Sequence, residues 1–258
     1  MFFNEIGREP WFRYRAMLYR NTLGPSIDAQ TVKPVRLYLL MDVSDRDLAQ
    51  RYLQGIEHTP IFASEGNQHD LVAQDLEREG LTHNIAMSRI DSDDIVERRY
   101  FEKLNRKIFT LQSEKHAPEL FVACRGYRSN FSRIQPMYYH NGPFITRFCR
   151  QYAGESPYFH HKTIENYVHV KDADAQWMQV IHGTNVANGF QPANAESLAP
   201  FLSGDSGTAS LKKMPFDPAW FSEWAGFSAP APSIFEEAPV ITLHSRFRKF
   251  WRVLQGKA

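Results

Sequence analysis

Residues 35–112 limit the fold more than any other part of this chain. Val35-Arg36-Leu37-Tyr38-Leu39-Leu40-Met41 is a nearly continuous apolar run that ends in Asp42, the pattern of a strand buried on both faces. Ser44-Asp45-Arg46-Asp47 opens a helix through about Gln54, with Ser44 as N-cap and Asp47 three residues on. Pro60-Ile61-Phe62-Ala63 is a second strand. Residues 67–80 form a helix closed by Gly80, and Asn84-Ile85-Ala86-Met87-Ser88-Arg89-Ile90 is a third strand running straight into Asp91. Residues 95–112 read as a helix with Val96, Tyr100, Leu104, Ile108 and Leu111 on one face. Strand and helix alternate, so the expectation is an α/β fold: a mostly parallel sheet with helices on both faces. Ligands in such sheets bind beyond the carboxyl ends of the strands, where Asp42 and Asp91 stand.

The flanks read differently. Residues 10–29 suit a helix with Pro10 in its first turn, Trp11, Tyr14 or Arg15, and Leu18 recurring at helical spacing, and a kink at Gly24-Pro25. Residues 119–127 and 133–139 look like strands. His160, His161 and His169 follow, the first two as an exposed loop pair by default, and then Trp177-Met178-Gln179-Val180-Ile181-His182. Residues 192–239, rich in Pro, Ala, Ser and Gly, read as an irregular tail anchored by Trp220, Phe221 and Trp224. The expected division is a ligand-binding domain over 1–190 and an extension over 191–258.

Composition removes several classes. The formal charge is +1, from 30 basic and 29 acidic residues, which does not suit nucleic-acid binding. Cys124 and Cys149 are too few for a disulfide framework. No apolar run approaches the ~20 residues that span a bilayer, and Glu5, Arg8 and Glu9 spoil an N-terminal secretory signal. A cytoplasmic protein is expected.

The segment Asp91-Ser92-Asp93-Asp94 carries the chemistry. Three carboxylates in four residues repel one another, and burying them costs more still unless a cation is present. A hard divalent ion prefers oxygen ligands and can bridge to a diphosphate. In a strand-to-helix turn, Asp91 and Asp93 can point into the crevice while Asp94 starts the next helix. The plainer alternative is that Ser92, Asp93 and Asp94 only cap that helix.

Here the chain resembles a known family. Met87-Ser88-Arg89-Ile90-Asp91-Ser92-Asp93-Asp94 is similar to the T-R-L-D-x-D-D segment of the rhamnosyltransferase family, relatives of the large inverting GT-A glycosyltransferase superfamily. Gly24-Pro25-Ser26-Ile27-Asp28-Ala29-Gln30-Thr31 resembles its P-S-x-x-x-Q-T helix. Trp177 to Asn188, with His182, Gly183 and Asn185, resembles its W-x-x-x-x-H-G-x-N-x-x-N segment. The resemblance covers roughly residues 11–190. It implies that Asp42 contacts the nucleoside base, Asp91 the ribose, and Asp93 a divalent metal (Mn or Mg) with Asp94 in support. Asp91 also belongs to the implied metal set. Arg89 would hold the acidic turn or a phosphate, His182 would be a late metal or diphosphate contact, and Asn185 would join the nucleotide-sugar site. An inverting transferase also needs a general base; Glu155 and Glu165 are the candidates by order in the chain, and either could equally be a solvated surface residue.

The chain departs from the family at its start. Family members begin with a strand that lies centrally, between those at 35–42 and 84–91, and here only Phe2-Phe3-Asn4-Glu5 precedes the first helix. Without that strand two rows of backbone groups face each other unpaired, at ~1–3 kcal/mol for each buried group. The expectation is that the protein starts upstream of Met1, or that residues 1–6 pair as a shortened strand. At the other end, residues 243–255, opening at Leu243 and closing at Gln255, carry Phe247, Phe250, Trp251 and Leu254 on one side of a basic helix. Such a helix can lie on an anionic membrane surface, or dock on the core with its cations solvated.

The resulting expectation is a metal-dependent transferase moving a sugar from a nucleotide-sugar donor to a glycan or lipid-linked acceptor. The alternatives are a catalytically inactive scaffold of the same fold and a different phosphotransfer enzyme using the same aspartates.

Overall fold

The computed structural model describes residues 8–64, 66–112, 119–139, 142–155, 167–170, 175–182, 189–190, 192 and 208–235. The chain is a mixed α/β protein. Helices α1 (Arg8–Asn21) and α2 (Leu23–Asp28) lead to β1 (Tyr38–Asp42), a 3-10 turn (Val43–Asp45) and α3 (Arg46–Tyr52). Then come β2 (Thr59–Ala63), α4 (Gln68–Arg78), β3 (His83–Arg89), β4 (Ile95–Val96) and α5 (Tyr100–Leu111). The second half holds β5 (Leu120–Ala123), β6 (Arg125–Ser129), β7 (Arg133–Tyr139), β8 (Phe144–Gln151), β9 (Tyr167–Val170) and β10 (Trp177–Val180). Strands β11 (Thr208–Ser210) and β12 (Met214–Pro215) and helix α6 (Pro218–Ala225) follow.

The strand positions at β1, β2 and β3 agree with the apolar runs, but the sheet is not mostly parallel. β1 and β2 pair in parallel by themselves. A second sheet runs β3-β8-β5-β9, antiparallel except for β5 with β9. A third runs β11-β7-β6-β10-β4, with β12 also on β7. Each antiparallel pair includes a strand from the second half; β6 and β7 form a local hairpin that needs no crossover helix, while β8 and β10 reach back to β3 and β4.

Other boundaries also shift. The helix expected over 95–112 starts at Tyr100, because Ile95 and Val96 are taken as a strand by β10. Both are β-branched and fully buried there. The run 119–127 splits at Cys124 into β5 and β6, which lie in different sheets. The first helix breaks at Thr22, whose hydroxyl donates to the Leu18 carbonyl at 2.7 Å, and Pro25 lies inside α2. The tail contains α6, capped by Asp217 and stopped by Gly226 at φ 82°. Its strands β11 and β12 both join β7.

Among the described residues β1 pairs only with β2, and β3 only with β8. Between β1 and β3 lies a cavity of about 800 Å³. Its walls are apolar on both sides. Tyr19, Leu23 and Leu104 pack with Leu37 and Leu39 on one face, and Val72 and Leu76 pack with Leu40 and Met87 on the other. The two strands run the same way. Arg36, just before β1, pairs with Glu79 at the end of α4, which leads into β3. At the opposite end α1 reaches both Asp42 and Asp93.

Candidate functional site

Four acidic residues, Asp42, Asp91, Asp93 and Asp94, stand at or just past two strand ends; helix α1 pairs with Asp42 and Asp93, and the fold sends the four into different environments. β3 ends at Arg89, and the turn closes with the Asp94 amide donating to the Asp91 carbonyl at 3.0 Å. β4 follows at once and plunges into the core against β10. The residues next to it, Asp93 and Asp94, are therefore buried, while Asp91 stays exposed. No helix begins until Tyr100, so neither the placing of Asp94 at a helix start nor the capping alternative holds.

Asp93 is held from two sides. Arg15 grips it as a fork, Nη2 to Oδ1 at 2.8 Å and Nη1 to Oδ2 at 2.7 Å, and also donates to the Ser92 hydroxyl at 2.6 Å. His182, just past β10, meets Asp93 Oδ2 through Nε2 at 2.7 Å. An ionised carboxylate only accepts, so Nε2 carries the proton. Tyr14 lies edge-on to the His182 ring, 5.7 Å between centroids. Burial pushes the Asp93 carboxyl up, but the His182 hydrogen bond and the Arg15 charge outweigh it and hold Asp93 well below the usual range. Burial likewise opposes the Arg15 charge, and Asp93 with its acidic neighbours raises that guanidinium's pKa.

Asp94 turns the other way and accepts the Val180 amide of β10 at 3.3 Å. Burial, then the charges of Asp93 and Asp91, push its carboxyl well above the usual range. Of the adjacent pair Asp93 and Asp94, Asp93 carries the charge.

The exposed pair borders the cavity, as does Arg15. Asp91 sits 3.5 Å from Arg89. Asp42 accepts from the Ser44 amide at 2.9 Å and from Arg8 at 3.1 Å. The bonds from Ser44, amide and hydroxyl, hold the Asp42 carboxyl below its usual range, with Arg8 adding to them. Glu155 accepts the Ala153 amide at 2.8 Å and lies outside the cavity lining. Asn185, Glu165, His160, His161, residues 1–6 and residues 243–255 lie outside the described residues.

These positions bear directly on a metal. Among the described residues no group of three His, Cys, Asp or Glu side chains is gathered to hold one. Asp93 and His182 do come together, but as partners of each other: the His182 nitrogen is protonated toward Asp93, and Arg15 already supplies the cation. This arrangement does not fit Asp93, Asp91 and His182 as one ligand set. Asp91, half exposed at the cavity mouth, is free of that constraint.

Sequence reasoning missed Arg15 as a site residue. The signal was a cation at helical spacing between Trp11 and Tyr19, on the face that becomes buried. A charge there calls for a buried partner. Comparison with family models, with curated proteins and with solved structures finds no match to this chain. No described helix is long and apolar enough to cross a membrane.

Proposed function

We propose that the chain is a glycosyltransferase of the GT-A type that binds a nucleotide-sugar at the carboxyl ends of β1 and β3. One observation carries this reading: Asp42 and Asp91 close two parallel strands at the mouth of the same cavity, with Arg15 beside them. A crevice at that end of neighbouring parallel strands is where α/β folds place nucleotides. Asp42 contacts the base and Asp91 the ribose or a metal, while Arg89 faces the diphosphate. Asp91 would hold a divalent ion, Mn or Mg, of the kind that one or two carboxylates take up beside a phosphate-bearing substrate. When bound it neutralises charge on the diphosphate leaving group. The Asp93–His182–Arg15 cluster fixes the turn from which Asp91 projects, so here Asp93 and His182 position the site. The donor sugar suggested by the resemblance is rhamnose, and the acceptor is a glycan or lipid-linked glycan.

The test is calorimetric titration of UDP, GDP and dTDP, with and without Mn²⁺, on the parent chain and on Asp91→Asn. Metal-dependent binding, weakened at least about 10-fold by the substitution, is expected. Absence of binding to the parent overturns the proposal. Asp93→Ala is the poorer probe, because it would leave Arg15 and His182 facing each other without their shared anion.

A second reading, a binding protein without catalysis, is favoured by the engagement of Asp93 with Arg15 and His182. Nucleotide binding without turnover of any sugar donor would select it.

A further inference from the structure

We infer that Arg128 is the binding group of a second site, at the carboxyl ends of β6 and β10, that takes an oxyanion: the carboxylate or phosphate group of a ligand. This rests on the surroundings of Arg128 and does not depend on the transferase reading.

Strand pairing puts a charge in the middle of a buried sheet. Arg128 of β6 stands opposite Gln179 of β10 and Gln135 of β7. Side chains alternate along a strand, so Arg128 shares the face of Gly126 and Trp177. Tyr127, Met178 and Val180 take the other face and pack with α6. Arg128 is 4% exposed, and Gln135 and Gln179 are buried beside it. A guanidinium keeps its charge when buried, so an arginine is seldom buried without an acidic partner.

Here the partners are all neutral. Nε donates to the Gln179 side-chain oxygen at 3.2 Å, Nη1 to the Gly189 carbonyl at 2.6 Å, and Nη2 to the Tyr139 hydroxyl. The Tyr139 ring, with its centroid 5.7 Å from the guanidinium carbon, adds a weak attraction. Among the described residues no carboxylate forms an ion pair with Arg128. The carboxylate on the same row is Asp94, one residue beyond the β4–β10 register. It lies two strands away, about 10 Å, and accepts the Val180 amide. Burial, then Asp93 and Asp91, hold it toward its neutral form.

The unused donors name the ligand's chemistry. A guanidinium has five N–H bonds. Three are engaged, which leaves one on Nη1 and one on Nη2. Donors on both terminal nitrogens suit the paired oxygens of a carboxylate or phosphate.

The approach is open and positive. Tyr139 and Gly189 are only partly buried, so the guanidinium lies one layer below the surface. A Cβ placed on Gly189 meets no atom within 4 Å. Lys213, which is exposed, holds its ammonium 5.0 Å from the centre of the Phe190 ring, beside Gly189 in the chain. It too has no carboxylate partner among the described residues. Two cations without acids, one buried and one outside it, draw an anion inward.

The experiment is thermal denaturation of the full chain at constant ionic strength, with chloride, inorganic phosphate or acetate as the anion, on the parent and on Arg128→Met. About 50 mM phosphate or acetate is expected to raise the parent Tm by at least about 3 °C over chloride, and to leave the variant within about 1 °C of its chloride value. A response to phosphate alone assigns the site to phosphoryl groups, one to acetate alone assigns it to carboxylates, and a response to both is that of a general oxyanion site. No rise in the parent overturns the proposal. So does an equal rise in both chains, which is the general salt effect on burial. Should the variant fail to fold, crystals of the full chain grown in the anion that raised the parent Tm decide the matter. That anion with an oxygen about 2.9 Å from Nη1 or Nη2 of Arg128 supports the site. Arg128 without it, or bonded to a carboxylate of the chain, refutes it.

Discussion

Two places in the sheets of this protein are built on opposite principles. Between β6 and β10 the seam is closed to atomic contact. Trp177 is fully buried, stacks on Phe144 at 5.0 Å and donates its indole N–H to the Ala123 carbonyl at 2.8 Å. Gly126 lies so close that a Cβ there would meet the indole at 2.1 Å. Among the described residues β1 and β3 do not pair, and α1 ties their ends together through Arg8 and Arg15. Packing holds the closed seam, and charge holds the open one.

Three substitutions break or sharpen this contrast. The largest effect is expected from Arg15→Ala. It strands a buried carboxylate with His182 alone, and breaking such a pair costs about 3–5 kcal/mol. Chemical denaturation should report that loss. The Asp93 carboxyl lies below its unfolded value, so its contribution is present above about pH 4 and is lost as the pH falls through its native pKa. The deficit of the variant should therefore shrink in acid.

Gly126→Ala attacks the closed seam instead. The added methyl overlaps the Trp177 ring, and overpacking of this kind costs about 1–3 kcal/mol. The same denaturation series would show a loss that does not vary with pH, which separates packing from charge.

The smallest effect, and opposite in sign, is expected from Asp94→Asn. The native carboxyl titrates above its unfolded value. Stability from this residue is therefore complete below about pH 4 and declines as the pH rises above it. An asparagine keeps an oxygen for the Val180 amide and sheds the ionisation. The variant should resist urea better than the parent at pH 7 and match it near pH 4.

Much of the first half was legible because its signals are local. The runs ending in Asp42 and Arg89 are strands, and the glycine after α4 ends it at Gly80 with φ 71°. The acidic turn was legible as unusual, since four residues cannot hold three carboxylates without compensation. Its compensation was not legible. The partner of Asp93 lies 78 residues away in Arg15 and 89 residues away in His182. Periodicity placed Val96 on a helix because its spacing to Tyr100 is helical, but pairing with Trp177 overrode that pattern.

By itself, then, the sequence determined the α/β character, the strand-end positions of Asp42 and Asp91, and the closeness in chain of Asp91, Asp93 and Asp94, but not the mixed pairing of the sheets. Those follow from hydrophobic periodicity and turn chemistry, which act over a few residues. Only the tertiary structure decided that Asp91 faces out while Asp93 meets Arg15 and His182 and Asp94 meets Val180. Burial and charge pairing depend on which distant elements close over a turn, and here β10 and α1 closed over two of the three carboxylates and left the first at the cavity mouth.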